Sequence, residues 1–136
     1  MTYLFHALAA ALLVGCASAP IAAPTKNTPM DTKVTLEPLH TVAVGPNAML
    51  RYDGVADSRC PPGVQCVWAG ELSYKFTLTA AAGTESFGLT SAKPAYDPAS
   101  VAGLHIALGQ NSVPPVQPAN SPAPAPRPVI LSITHK

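Results

Sequence analysis

The chain has 136 residues, which fits one domain, and 8 Lys or Arg against 7 Asp or Glu give a net charge of +1. This balance excludes a nucleic-acid-binding protein that works through a basic patch, and it excludes an acidic disordered tail. Of the residues, 23 are Ala, 16 are Pro and 9 are Gly. The composition predicts one small, turn-rich domain with flexible attachments.

The N-terminus carries a short apolar run over residues 4–14 that ends in small residues, as signal peptides do. At about ten residues it is too short to span a membrane, which takes about 20. The sequence Leu13-Val14-Gly15-Cys16 resembles the lipobox of bacterial lipoproteins. The resemblance implies that residues 1–15 are removed and that Cys16 is acylated. Ordinary secretory cleavage after Ala17 is the alternative.

Lipid on Cys16 predicts a location. Two or three acyl chains suffice for stable attachment, because each buried methylene contributes about 0.8 kcal/mol. The residue after the cysteine is Ala17 rather than Asp, which resembles the pattern of lipoproteins sorted to the outer membrane. We therefore expect a protein of the bacterial cell envelope whose lipid holds it at a membrane, with the outer membrane favoured.

Residues 16–32 contain three prolines among small polar residues and predict a flexible tether. Residues 33–136 predict a β domain. Its clearest strand is 71–79, where Leu72, Tyr74, Phe76 and Leu78 share one parity. Weaker strand patterns cover 34–44 with a break at Pro38, 48–55, 84–90, 103–108 and 129–135. No window has a helical period, so we predict an all-β fold, a small antiparallel β-sandwich or barrel of 6–8 short strands.

Residues 110–128 hold seven of the 16 prolines. Proline lacks the N–H donor that a central strand or a helix needs, so this segment predicts a proline-rich loop. The loop is interpreted as a spacer. Docking into an aromatic groove of a partner is the less favoured alternative.

With Cys16 assigned to lipid, the other two cysteines form a pair. Cys60 and Cys66 in an exported chain predict a disulfide. Closing a loop of seven residues stabilises the fold by about 2.4 kcal/mol in the loop-entropy model. A catalytic redox pair is disfavoured, because such pairs usually have two intervening residues and stand at a helix N-terminus.

The cysteine pair lies within a longer motif, Asp57-Ser58-Arg59-Cys60-Pro61 followed by Cys66-Val67-Trp68-Ala69-Gly70. These residues resemble the DSRCP-x4-C-x-W-x-G signature of a group of small, uncharacterised bacterial exported proteins and lipoproteins. The resemblance implies kinship with that group and no particular activity.

Two interpretations of the motif remain open. In the structural one, which we favour, Trp68 lies on the same strand face as Cys66 and covers the disulfide, while Asp57 and Arg59 pair with each other or with turn amides. In the other, a ligand pocket is lined by Asp57, Arg59, Trp68 and Glu71. Arg59 would then offer its guanidinium to a carboxylate or phosphate.

The chain shows no catalytic pattern. Ser58 has no base beside it in the sequence, and no glycine-rich phosphate loop occurs. A calcium site is disfavoured because the candidate carboxylates lack a known spacing; they are Asp53, Asp57 and Asp97. A copper or zinc site is disfavoured because three separate strands would have to converge; its candidates are His40, His105 and His135.

The sequence therefore predicts no catalytic residue, no cofactor and no metal. The favoured function is a non-enzymatic cell-envelope lipoprotein, bound to the membrane through lipid on Cys16, that recognises an envelope protein partner or helps maintain the envelope. The alternative is a lipoprotein that binds a small ligand or metal near Arg59, Glu71 and Trp68. No nucleic-acid partner is expected.

Overall fold

The computed structural model describes residues 31–111, 113–122 and 125–136, which form eight strands and no helix. The predicted signal segment and Cys16 lie outside these residues. In chain order the strands are β1 (Thr32–Leu36), β2 (Thr41–Gly45), β3 (Ala48–Asp57), β4 (Leu72–Ala80), β5 (Gly83–Leu89), β6 (Ala95–Tyr96), β7 (Leu104–Leu108) and β8 (Val129–His135). Within the described part of the chain, no helix is long and apolar enough to cross a membrane.

The strands form two antiparallel sheets of four. One sheet has the order β1-β8-β7-β6 and the other the order β2-β3-β4-β5. The inward faces of both sheets enclose a single core, as in a β-sandwich. Its largest fully buried side chains are Tyr52, Phe76, Leu50, Leu78, Leu89, Leu104, Ile106, Leu131 and Val129. The predicted all-β fold of 6–8 short strands is confirmed.

Alternation in the sequence predicted most of these strands well. In β4 the residues Tyr74, Phe76 and Leu78 are buried, and Leu72 at the strand's start is half-buried. Strand β8 runs from Val129 to His135, so the chain does return to a sheet at its end. Burying each of these large side chains contributes about 1.5–3 kcal/mol, which makes the inward faces of the two sheets the main source of stability.

The predicted strand over 34–44 is two strands that belong to different sheets. β1 pairs with β8 and β2 pairs with β3, and the chain crosses between them through the turn at Pro38 and Leu39. Leu39 adopts a positive φ of 66°. β1 also begins at Thr32, one residue before the predicted start of the domain.

A β-bulge in β3 changes which face of the sheet the last residues of the strand occupy. Tyr52 is opposite Phe76, but Gly54 is opposite Lys75, so Asp53 is an extra residue. The bulge reverses the parity of the strand beyond it. Asp57 is therefore paired with Leu72, which is half-buried against the core.

The sandwich has two distinct ends. At the tether end, β1 begins beside the end of β8, where Thr32 pairs with Ile133. At the loop end, β3 passes into β4, and the end of β7 meets the start of β8 through the Gly109 N–H, which donates to Ile130 O at 2.8 Å. The ten residues of β3 separate the two ends by roughly 30 Å.

Candidate functional site

The loop end is dominated by the segment that joins β3 to β4, residues 58–71, here named the Cys–Trp loop. The predicted disulfide is confirmed: Cys60 and Cys66 are bonded, with their Cα atoms 5.9 Å apart. At the base of the loop the Ser58 N–H donates to Glu71 O at 2.9 Å, and the Cys60 N–H donates to Ala69 O at 2.9 Å. The loop is thus fixed by one covalent bond and a short ladder of backbone hydrogen bonds.

Gly70 is required at the point where the loop rejoins the sheet. Its φ of +70° favours glycine. A Cβ at this position would lie 1.8 Å from the carbonyl oxygen of Ser58. The close approach of two backbone segments at the base of the loop therefore excludes any side chain.

The position of Trp68 corrects a prediction. Trp68 lies outside any strand and is 61% exposed, so it does not bury its ring over the disulfide. Period-two alternation holds only within a strand, and β4 begins at Leu72, beyond the left-handed residue Gly70. The argument that places Cys66 and Trp68 on one strand face fails for that reason.

The Cys–Trp loop instead presents an apolar surface. Val67 is fully exposed, and Val64 is 46% exposed. No charged residue occurs from Cys60 to Gly70. A pinned loop with an uncharged tip and an exposed indole resembles the recognition loops that other proteins carry on a stable scaffold.

Arg59 and Asp57 form a two-pronged ion pair at the edge of this loop. Arg59 Nε donates to Asp57 Oδ1 at 2.8 Å and Nη2 donates to Oδ2 at 2.6 Å. These hydrogen bonds hold the pKa of Asp57 below its usual range and raise the pKa of Arg59. The remaining contact, from Nη1 to Pro114 O at 3.0 Å, fixes the proline-rich loop.

This pairing changes the interpretation of Arg59. The guanidinium fork that the ligand hypothesis offers to a carboxylate or phosphate is engaged by Asp57 in the same chain. Ser58 is similarly engaged, because its hydroxyl donates to Glu71 O and accepts from the Glu71 N–H, both at 3.1 Å. Both side chains serve the architecture of the loop.

A cavity of about 350 Å³ opens beside the ion pair, within the size range of small-ligand pockets. Its walls come from β4, β7 and the loops around them, and include Arg59, Glu71, Leu72, Tyr74, Leu108 and Val113. The structure therefore brings Arg59 and Glu71 to one cavity, with Asp57 paired behind Arg59. Trp68 does not line it.

A second cavity of about 250 Å³ adjoins the first. Tyr74 and Asn111 line both, and Arg127 lines only the second. Asn111 is held in place because its Nδ2 donates to Ile130 O at 2.9 Å and its Oδ1 accepts from the Ile130 N–H at 2.6 Å. Burial raises the pKa of Tyr74, so its hydroxyl stays neutral at physiological pH.

The sequence gives little warning of these cavities. Tyr74 and Leu108 fit the alternating pattern of core residues, and Asn111 looks like an ordinary loop residue. They meet only because β4 and β7 lie in opposite sheets, and the start of β4 comes to the same end of the sandwich as the end of β7. Local signals near the site are the motif residues Arg59 and Glu71 and the proline-rich segment, since described parts of residues 110–128 form no strand and supply several lining residues.

The candidate metal ligands are dispersed. Asp53 accepts from Thr77 Oγ1 at 2.7 Å on the outer face of the second sheet, and His105 Nδ1 is 2.8 Å from Asp97 Oδ1. Over the described ranges, no group of three or more His, Cys, Asp or Glu side chains is placed to hold a metal ion.

The fold and the site define a small disulfide-bonded β-sandwich with two cavities at its loop end. No family model, no curated protein and no solved structure matches the chain. The kinship predicted from the DSRCP motif stays a prediction, and the function has to be argued from the geometry.

Proposed function

We propose that the protein is a lipid-anchored binding protein of the bacterial cell envelope, and that it recognises a protein partner through the Cys–Trp loop. The partner presents an apolar cleft that holds the Trp68 indole and the Val67 side chain. The protein acts by binding and not by catalysis, and lipid on Cys16 holds it at the outer membrane.

The exposed indole on a pinned loop is the observation that carries this proposal. A large apolar side chain costs free energy when it faces water, and about 1.5–3 kcal/mol is recovered when such a side chain is buried. The disulfide, Gly70 and the backbone ladder hold the loop in one conformation before any partner arrives. Little conformational entropy is then lost on binding, which favours affinity.

The placement of the two ends supports the same proposal. The tether enters the domain at Asp31, whose carboxylate accepts a hydrogen bond from Ser132 Oγ at the tether end. The Cys–Trp loop is roughly 30 Å away at the other end, given the length of β3. A lipid on Cys16 would therefore attach the domain at the end opposite to Trp68, which leaves the Cys–Trp loop free to reach a partner.

Crosslinking in intact cells tests the partner. A photo-crosslinking amino acid at position 67 should give one discrete adduct, and Trp68→Ala should abolish it. The same probe at Met49, which is 45% exposed on the outer face of β3, is the matched control and should give none. Equal adducts from both positions, or an adduct that survives Trp68→Ala, would contradict recognition through the loop.

Labelling with radioactive palmitate tests the anchor separately. The wild-type protein should take up the label and sediment with outer membranes. Cys16→Ser should lose the label and leave the membrane fraction. An unlabelled wild-type protein would overturn the lipid anchor and leave the role of the Cys–Trp loop to the crosslinking experiment.

A second candidate function is the binding of a small ligand in the cavities at the loop end. The observation that favours it is the 350 Å³ cavity, whose lining combines the apolar residues Leu72 and Leu108 with the charged residue Glu71. Ligand pockets commonly combine apolar walls with a few polar groups of this kind. A cavity-filling Leu108→Trp variant that keeps the fold should lose such binding.

A further inference from the structure

We propose that the two adjoining cavities form one site for a short peptide with free ends, whose amino group lies at Glu71 and whose carboxylate lies at Arg127. The inference rests on the second candidate function, the binding of a small ligand at the loop end. It adds the chemical class of the ligand and its direction in the site.

The two cavities adjoin each other, because they share Tyr74 and Asn111. Glu71 lines only the first cavity, and Arg127 lines only the second. Both shared residues are held firmly, Tyr74 by burial in the sandwich and Asn111 by its hydrogen bonds to Ile130. A ligand that passes over Tyr74 would contact both parts at once.

The charges of the site are separated along this surface. Arg59 is neutralised by Asp57, and so contributes little net charge to the first cavity. The carboxylate of Glu71 forms no ion pair with any described residue, and neither does the guanidinium of Arg127. Apart from the paired Arg59, the charged residue that lines the first cavity is Glu71 and the charged residue that lines the second is Arg127, and Tyr74 lines both.

A zwitterion matches that arrangement better than a simple anion or cation. A single charge would be attracted by one part of the site and repelled by the other, whereas a chain with an ammonium at one end and a carboxylate at the other is attracted by both. A peptide also supplies an apolar body for the walls formed by Leu72, Leu108 and Val113. The pairing of the Arg59 fork with Asp57 disfavours an anionic ligand at Arg59 itself.

Four forms of one peptide test the assignment. The probes are trialanine with free ends, N-acetyl-trialanine, trialanine amide and the doubly blocked peptide, each titrated by calorimetry into the full mature protein in detergent micelles. Free trialanine should bind, and blocking either end should weaken binding about tenfold or more, as expected for loss of a charge-assisted hydrogen bond.

Two variants locate each end of the peptide. Glu71→Gln should bind free trialanine about tenfold more weakly than the wild type does. Its affinity should not change further when the peptide is N-acetylated, but it should still fall when the peptide is amidated. Arg127→Gln should show the opposite pattern. The matched controls are Glu37→Gln and Arg51→Gln, which make the same changes away from the cavities and should bind like the wild type.

Each other outcome overturns the inference in a distinguishable way. Equal binding of all four peptides would overturn the charge assignment and preserve a ligand-binding cavity, particularly if Leu108→Trp abolished it. Absence of binding by all four would overturn the peptide ligand itself. Reversed sensitivities in the two variants would overturn the direction. None of these results changes what crosslinking at position 67 reports about the Cys–Trp loop.

Discussion

The two ends of the sandwich hold their connecting loops in place by different interactions. At the tether end, loops are short and are fixed by a carboxylate: Glu85 accepts from Tyr96 Oη at 2.7 Å and from the backbone N–H groups of Ala99 and Ser100. At the loop end, a 14-residue loop and a proline-rich loop are fixed by a disulfide and by the Asp57–Arg59 pair. Both ends rest on one core, and the loop end is where the Trp68 indole is exposed and where Glu71 and Arg127 lie outside the ion pairs of the described residues.

The difference shows where this fold has freedom to carry function. Residues of the core are fixed by packing, so neither sheet can present a large cavity without loss of stability. The loop end has connections from both sheets, and each is held by its own local bonds. That end can therefore vary in surface while the sandwich stays intact.

Of the changes at the two ends of the sandwich, removing the disulfide should have the largest effect on stability, and its effect on local opening should be confined to the loop end. The double variant Cys60→Ser, Cys66→Ser loses about 2.4 kcal/mol of unfolding free energy, from the loop-entropy model. The melting temperature should fall by about 10–20 °C, given 4–8 °C per kcal/mol in a domain of this size. Hydrogen exchange should quicken in residues 58–71 and stay unchanged around Glu85; equal changes at both ends would contradict a local role.

A pair of glycine variants sharpens the comparison within the loop itself. Gly70→Ala places a Cβ against the carbonyl of Ser58 and keeps a positive φ, so it should cost about 2 kcal/mol. Gly63→Ala has a similar φ of +78° with nothing within 4 Å, and should cost about 1 kcal/mol. Urea unfolding measures both; equal losses would mean that the close approach at Gly70 is relieved by a shift of the backbone.

Acid should weaken the tether end through Glu85. Hydrogen bonds from Ser100 and Tyr96 lower the pKa of Glu85 to about 2, against an ordinary value of 4.5. A carboxyl whose pKa is lower in the folded state stabilises the fold above pH 4.5, and this contribution is lost as the pH falls from 4.5 towards 2. The melting temperature of wild type should fall across that window more steeply than that of Glu85→Gln, and parallel curves for the two proteins would contradict the assignment.

The smallest effect is expected in the core between the ends. The Tyr52 hydroxyl is buried with no hydrogen-bond partner among the described residues, and burial raises its pKa to about 12. Tyr52→Phe removes a polar group that gains nothing in the fold, so the unfolding free energy should change by no more than about 0.5 kcal/mol or should rise. Phe76→Ala in the same aromatic cluster, with ring centroids 5.3 Å from Tyr52, should cost about 3–5 kcal/mol and serves as the contrast. A loss above 1 kcal/mol in Tyr52→Phe would indicate that the hydroxyl does have a partner.

How much can be predicted from the sequence depends on how far apart along the chain the interacting residues lie. Alternation within β4 or β8 is a local property, and two cysteines six residues apart have few alternatives to a disulfide once export is expected, so these features are predictable. Other features depend on residues distant in the chain. The division of residues 34–44 between two sheets, the bulge at Asp53 and the short strand β6 depend on pairing with distant segments.

The candidate site was predicted in part for the same reason. Asp57 and Arg59 are neighbours in sequence, and their pairing is one of the arrangements expected from spacing alone. Trp68 was misplaced, because a strand period was extended into a loop. Tyr74 and Arg127 could not have been found, since they are brought together only by the contact between the second sheet and the proline-rich loop.

The pairing of β1 with β8 has a consequence for how the chain reaches its folded state. The first described strand has its hydrogen-bonded partner in the last, so this sheet cannot close until residues 129–135 are present. If the chain crosses a membrane with its N-terminus first to receive the proposed lipid on Cys16, the sandwich would remain incomplete while translocation proceeds. Contacts between such distant residues slow folding. The chain would then stay unfolded enough to pass through a translocation channel until residues 129–135 emerge. The core would form after the end that carries the lipid has crossed the membrane.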